Sequence, residues 1–136
     1  MTGFVLDCSI AMTWCFEDEA TPATDALLDR VRDEGAIVPM LWHLEIGNVL
    51  LQAERRGRVS SADLSARLEL LAALPITTDD QTSSRALREV LSLARAETLT
   101  TYDAAYLELA VRRRLPVATK DRPLQRAAKR VGIDVI

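Results

Sequence analysis

Histidine occurs once in this chain of 136 residues, at position 43, and cysteine twice, at positions 8 and 15. The two cysteines form no C-x-x-C pair, so a closed zinc site built from four Cys or His ligands is excluded. Reduced thiols in a cytoplasmic protein are expected, not a disulfide framework. Aromatic residues are also scarce: two Trp, two Tyr and two Phe. That excludes a sequence-neutral stacking platform for single-stranded nucleic acid, which is built from aromatic faces, and it leaves aliphatic side chains and alanine to fill the core. Long apolar runs are missing as well. The longest uncharged one, Gly35 to Leu44, is ten residues against the roughly 18 that span a bilayer, so no membrane segment is expected. Met1 to Leu6 lacks the basic start of a leader peptide and Asp7 interrupts it. With only five Gly and five Pro, and 49% of residues hydrophobic, a disordered tail is excluded too. The length suits one domain, residues 1–136.

What is present is unevenly charged. The net charge of −3 hides an acidic part, residues 1–111 with 9 basic and 18 acidic side chains, and a basic end, residues 112–136 with 8 basic and 2 acidic. Arg112, Arg113, Arg114, Lys120, Arg122, Arg126, Lys129 and Arg130 make up that end. Some suit helix C-termini. As a group they also suit a polyanion, and Arg112, Arg113, Arg114, Arg122 and Arg126 are read as candidate phosphate contacts.

Short apolar runs alternate with helical patterns. Gly3–Leu6, Ala36–Val38, Ile76–Thr78, Pro116–Thr119 and Ile133–Ile136 read as strands. Thr21-Pro22 opens a helix that Gly35 stops. Leu41–Arg56 is a helix ending at Gly57, and Ser60 to Asp63 is a capping box for the next. Leu87, Val90, Leu91 and Ala94 mark a further helix, and Leu124–Val131 the last. Tyr102–Arg113 is helical and apolar almost all round, which places it deep in the protein. The alternation predicts an α/β fold, three layers with a short central parallel sheet of four or five strands. Ligands in such sheets bind outside the carboxyl ends of the strands.

Against that frame four carboxylates stand out. Asp7 is the only charge in the first 16 residues and directly follows a strand; Glu45 is the only formal charge from Gly35 to Ala53. Asp103 opens the apolar helix, and Asp121 follows the strand Pro116–Thr119. Asp7 and Asp121 also suit helix caps, and Asp103 a first-turn acid. Four acids with few interior cations point to a bound divalent metal with hard oxygen ligands, Mg²⁺ or Mn²⁺ ahead of zinc. Ser9, Asn48 and Thr119 are placed to assist by hydrogen bonding. His43 reads as structural, and Cys8 beside Asp7 as packing, since a neighbouring carboxylate disfavours the thiolate.

The segments V-L-D-C-S at 5–9, H-L-E-I-G-N-V-L at 43–50, L-T-T-Y-D-A-A-Y-L at 99–107 and A-T-K-D at 118–121 occur in order. This pattern resembles the PIN domain, most closely the VapC toxins of bacterial toxin–antitoxin pairs, over essentially the whole chain. The resemblance implies a PIN-like fold and a metal-dependent endoribonuclease. Asp7, Glu45, Asp103 and Asp121 would form its acidic metal site, and Ser9, Asn48 and Thr119 would support it. It further implies an RNA substrate, a small antitoxin partner covering the site, and a homodimer. An amphipathic antitoxin helix carrying an Arg is expected to dock near Met12, Trp14, Trp42 and Leu50. The alternative is a non-catalytic module, either a degenerate PIN domain or a receiver-like domain using Asp79, Asp80 and Lys120. A phosphohydrolase with a D-x-D-x-[TV] motif is excluded by Ser9.

Overall fold

A computed structural model describes residues 3–136; Met1 and Thr2, part of the segment read for a leader, lie outside the described residues. Four strands, β1 (Phe4–Leu6), β2 (Ala36–Pro39), β3 (Ile76–Asp79) and β4 (Val117–Ala118), form one parallel sheet in the order β3-β2-β1-β4. Val5 pairs with Ile37 on one side and Val117 on the other. The chain steps outward from β1 to β2 to β3, then returns past β1 to lay down β4. The direction of winding therefore reverses between β1 and β4. Such a reversal opens a crevice at the carboxyl ends of the two strands.

Helices α1 (Cys8–Cys15), α2 (Pro22–Glu34), α3 (Leu41–Arg55), α4 (Ser61–Ala72), α5 (Thr82–Arg85), α6 (Leu91–Glu97), α7 (Thr101–Arg113) and α8 (Arg122–Arg130) complete a three-layer α/β/α arrangement. Their ends follow local chemistry. Thr21 and Thr24 cap each other reciprocally around Pro22 at the start of α2, and Ser60 and Asp63 do the same for α4. Satisfying two otherwise orphaned N–H groups in this way fixes a helix start. Gly35 ends α2 at φ +78°, where a side chain would be strained. Gly3 is needed for closeness: a Cβ there would lie 2.6 Å from the Gly35 carbonyl oxygen.

The predicted deep helix is α7, in which every residue from Ala104 to Ala110 is buried. It packs on β1, β2 and β4 and against α8. Ala104, Ala105 and Ala110 let its backbone approach, while Tyr106, Leu107 and Leu109 fill the core. Each large apolar side chain so buried contributes roughly 1.5–3 kcal/mol.

Two elements differ from expectation. Ile133–Ile136 is no strand but a single bridge, Val117 to Val135. β4 is two residues long, and after Ala118 the chain turns away toward Asp121, so little ladder is available to pair with. The segment Cys8–Cys15, which carries no amphipathic signal, forms α1. Six of its eight residues are buried, so its stripe is nearly complete and no period shows. In addition, the helix marked by Leu87 to Ala94 contains a π-helical turn, Ala86–Val90, between α5 and α6.

The far end of α7 is anchored by a buried ion network. The Arg112 guanidinium donates to both Asp79 oxygens at 2.9 Å and to Glu108 at 2.9 and 3.1 Å, with Arg85 3.6 Å from Glu108. The Gln81 N–H and the Thr82 hydroxyl donate to Asp79 as well. Arg112 beside it holds the Asp79 carboxyl down at about 2, despite burial. Its folded value lies below the unfolded one, so its contribution is complete above about pH 4 and is lost as pH falls toward 2. Asp79→Asn is expected to cost about 2 kcal/mol at neutral pH, because Arg112 keeps Glu108 but loses its bidentate bonds to the Asp79 carboxylate. The variant should also show a flatter loss of stability between pH 4 and 2. Urea denaturation of both proteins across that range measures both effects.

Candidate functional site

Asp7 leaves the end of β1 and Asp121 follows the end of β4, so the topology sets both at the crevice where the winding reverses. Glu45 comes from α3 and Asp103 from the first turn of α7. The four act on one another electrostatically: Asp121 on Asp7, Asp7 and Asp103 on Glu45, and Asp121 and Asp7 on Asp103. The four predicted carboxylates are thus within electrostatic reach of one another in these pairs.

Asp7 is 5% exposed. It stands at the N-terminal boundary of α1 yet makes no capping bond, because its Oδ2 is turned to two hydroxyls. Ser9 Oγ donates to it at 2.6 Å and Thr119 Oγ1 at 2.7 Å. These hydroxyls are themselves held: the Lys120 N–H donates to Ser9 Oγ, and the Asp121 N–H to Thr119 Oγ1. The Gln125 side-chain amide fixes the same loop by donating to the Thr119 carbonyl at 2.7 Å. The predicted support by Ser9 and Thr119 is therefore present as direct hydrogen bonds. Asp121 caps α8 through its Oδ2, which accepts from the Leu124 N–H at 2.9 Å. The capping reading of this residue is therefore realised.

Glu45 is half-buried and its Oε1 accepts from the Tyr106 hydroxyl. Asn48, one turn on, is exposed and makes no hydrogen bond to Glu45. Asp103 is half-buried, with its N–H donating to the α7 cap residue Thr100. Burial pushes the Asp7 and Glu45 carboxyls above their ordinary values, opposed in part by the hydroxyls that donate to them. Burial, then Asp121 and Asp7, pushes Asp103 up to about 6. Among the described residues, no Lys or Arg is among the groups that shift these three acids.

The donor set is hard oxygen throughout, which suits Mg²⁺ or Mn²⁺. Among the described residues, no three His, Cys, Asp or Glu side chains stand close enough to hold one ion directly. That fits an ion taking one or two carboxylates and keeping several waters, as Mg²⁺ commonly does.

Other predicted residues fall elsewhere. Arg112 is withdrawn from the phosphate contacts: its guanidinium is taken up by Asp79 and Glu108 and is 13% exposed. The signal was in the sequence, since Glu108 precedes Arg112 by four on the same helix face. Arg113, Arg114, Arg122 and Arg126 are exposed. His43 is bonded to Thr78 Oγ1 at 2.8 Å and stacks edge-on against Trp42, a structural role. The Cys8 thiol is pushed up to about 12 by burial, Glu45 and Asp7, so it is no nucleophile at neutral pH. Asp79 is locked by Arg112, and β3 and β4 are opposite edges of the sheet, so Asp79, Asp80 and Lys120 form no receiver pocket. The expected docking surface is also corrected. Met12, Trp42 and Leu50 are buried, and Trp14 is half-buried with its indole N–H donating to the Thr24 carbonyl. A buried residue cannot offer apolar surface. The most exposed large apolar side chains among the described residues are instead Met40, Leu44, Leu87 and Tyr102.

The family model of the PIN domain matches residues 4–130. The chain belongs to the PIN domain family, whose members are generally nucleases. Among solved structures, PAE2754 from Pyrobaculum aerophilum is similar, with a TM-score of 0.72 and 27% identity over 98% of this chain and 83% of that one. A toxin–antitoxin complex from Klebsiella pneumoniae is similar in fold, with a TM-score of 0.63 and 15% identity over 98% of this chain and 96% of that one. No curated protein matches the chain in sequence. No helix among the described residues is long and apolar enough to cross a membrane.

The raised Asp103 value carries a sign. An acid harder to ionise in the folded state than in the unfolded one makes stability fall as pH rises from about 4 through about 6. In buffer free of divalent metal, Asp103→Asn is expected to remove that decline and to gain about 1 kcal/mol at pH 7, allowing for solvent screening. Thermal unfolding of both proteins from pH 4 to 7 checks it.

Proposed function

We propose that this chain, as one domain over residues 1–136, is a metal-dependent endoribonuclease of the VapC-toxin kind. The observation that carries the reading is the convergence of Asp7, Glu45, Asp103 and Asp121, without a compensating cation, at the switch point of a PIN fold. The carboxylates hold Mg²⁺ or Mn²⁺. The chemistry a bound divalent ion supplies is a lowered pKa for an attacking water and polarisation of a phosphoryl oxygen. Ser9 and Thr119 fix the Asp7 carboxylate by occupying one of its oxygens, which leaves the other for the ion. Asn48, exposed one turn after Glu45 on α3, is proposed to support the site from that position. No protein nucleophile is needed, which agrees with the inert Cys8 thiol.

RNA is the proposed substrate, and Arg113, Arg114, Arg122 and Arg126 are proposed to meet its phosphates. The partner is a small antitoxin that sends an Arg toward the acids, where the planar fork of donors suits carboxylates. The Klebsiella neighbour, described as a toxin–antitoxin complex, is in keeping with this. A homodimer in the cytoplasm completes the proposal. The rival reading, a PIN domain that only binds, draws on the finding that among the described residues no three His, Cys, Asp or Glu side chains are close enough to hold an ion directly.

Purified protein is expected to cleave an RNA pool with Mn²⁺ and to stop when EDTA is added. Asp7→Asn and Asp103→Asn should each lower the rate at least 100-fold, as loss of a charge-stabilising group typically does. Full activity in both variants overturns the nuclease reading, and tight RNA binding with no cleavage favours the rival. Changing Arg113, Arg114, Arg122 and Arg126 together to Gln should weaken RNA binding and reduce the slope of log affinity against log salt by up to about 3, because fewer counterions are released. An unchanged slope, measured by fluorescence anisotropy, removes these residues from the interface.

A further inference from the structure

Tyr106 is among the largest fully buried side chains of the protein, in a helix whose other buried apolar residues are Ala and Leu. Phenylalanine would fill the same space. A hydroxyl in that place costs free energy unless it is bonded. Its partner is Glu45 Oε1, across from α7 to α3. Tyr106 lies three residues after Asp103, so α7 presents both on one face: a carboxylate of the site and a donor to a second one. The T-x-Y-D-A-x-Y-L segment thereby acquires a physical reason for its second tyrosine.

The other acids show the same division of labour. Asp7 commits Oδ2 to Ser9 and Thr119, and Asp121 commits Oδ2 to the Leu124 N–H. Each of the three has one oxygen engaged by the protein.

We propose that Tyr106 is a positioning residue, whose hydroxyl holds Glu45 Oε1 and so presents Oε2 to the divalent ion. The proposal rests on the metal-site reading above. Groups that orient metal ligands through such hydrogen bonds typically change metal affinity 10–100-fold when removed.

Mn²⁺ titration of the full chain, followed by electron paramagnetic resonance of the free ion, tests it without any assay of cleavage. Tyr106→Phe is expected to weaken Mn²⁺ binding about tenfold while its circular dichroism stays that of the parent. In a Glu45→Ala background the same substitution should add nothing, because Tyr106 acts only through that carboxylate. Equal affinity in parent and Tyr106→Phe overturns the positioning role alone. Absence of Mn²⁺ binding by the parent overturns the metal-site reading and the proposal with it. A second measurement does not depend on the variant folding. The buried Tyr106 hydroxyl proton should give a slowly exchanging downfield NMR signal in the parent protein, absent in Glu45→Ala. Persistence of that signal at saturating Mg²⁺ supports the proposal. Its disappearance means that Glu45 exchanges Tyr106 for the ion, and overturns it.

Discussion

Like charges in a small space are the constraint on which this protein is organised. Three of the four clustered acids are harder to ionise than usual, with burial the largest cause and their carboxylate neighbours adding to it. Such a cluster destabilises the fold it sits in, so the rest of the molecule has to hold it. The means are hydrogen-bond donors that carry no charge: the hydroxyls of Ser9, Thr119 and Tyr106 and the N–H of Leu124. A neutral donor orients a carboxylate without cancelling its charge. An Arg in the same place would orient it too, but would complete the ion pair and remove its attraction for a metal.

The stability that offsets this crowding lies elsewhere. The sheet and α7 form an aliphatic core, and the ion network of Asp79, Glu108, Arg112 and Arg85 fastens the other end of α7 to β3 and α5. One helix is therefore pinned by fully compensated charges at its C-terminal end and carries an uncompensated one, Asp103, at its N-terminal end. Fixing the helix at the paired end limits how far the unpaired end can drift from Asp7 and Glu45. Preorganisation of that kind is what a site acting through positioned charge requires.

Much of this was legible in the sequence, for identifiable reasons. Apolar runs punctuated by Gly, Pro and capping residues located the four strands and most helices, because each of those signals acts within a few residues. Asp7, Glu45 and Asp103 stood out as charges in apolar surroundings, which burial penalises unless something compensates. The helix Cys8–Cys15 was hidden because burial on nearly all sides erases the periodicity that reveals a helix. Arg112 was misread because a run of basic residues shows its composition but not its partners, and Asp79 is 33 positions away. Tyr106 was passed over for the opposite reason: in an apolar helix a tyrosine reads as packing, and only the contact with Glu45, 61 positions distant, shows that its hydroxyl has a task.

The arginines follow the same economy as the acids. Arg58 lies 3.9 Å above the Phe16 ring and bonds Asp18 and Glu19, while Arg67 donates to the Cys15 carbonyl, so together they clamp the turn that leads from α1 to α2. Arg130 is paired with Glu97 at 2.7 Å, and Arg112 with Asp79 and Glu108. Each of these cations is tied to a structural partner. Arg114, Lys120, Arg122, Arg126 and Lys129 are exposed outside these pairs on the last quarter of the chain, where Arg113 reaches Asp79 only at 3.9 Å; Arg55, Arg56, Arg88 and Arg95 are exposed elsewhere. The acids accordingly face no internal cation, whereas the surface of the basic end retains positive charge. An anionic polymer drawn to that surface would be repelled by the bare carboxylates. A divalent ion bound among them would offset two of those charges and weaken that repulsion, so metal and polyanion would favour each other's binding through electrostatics alone.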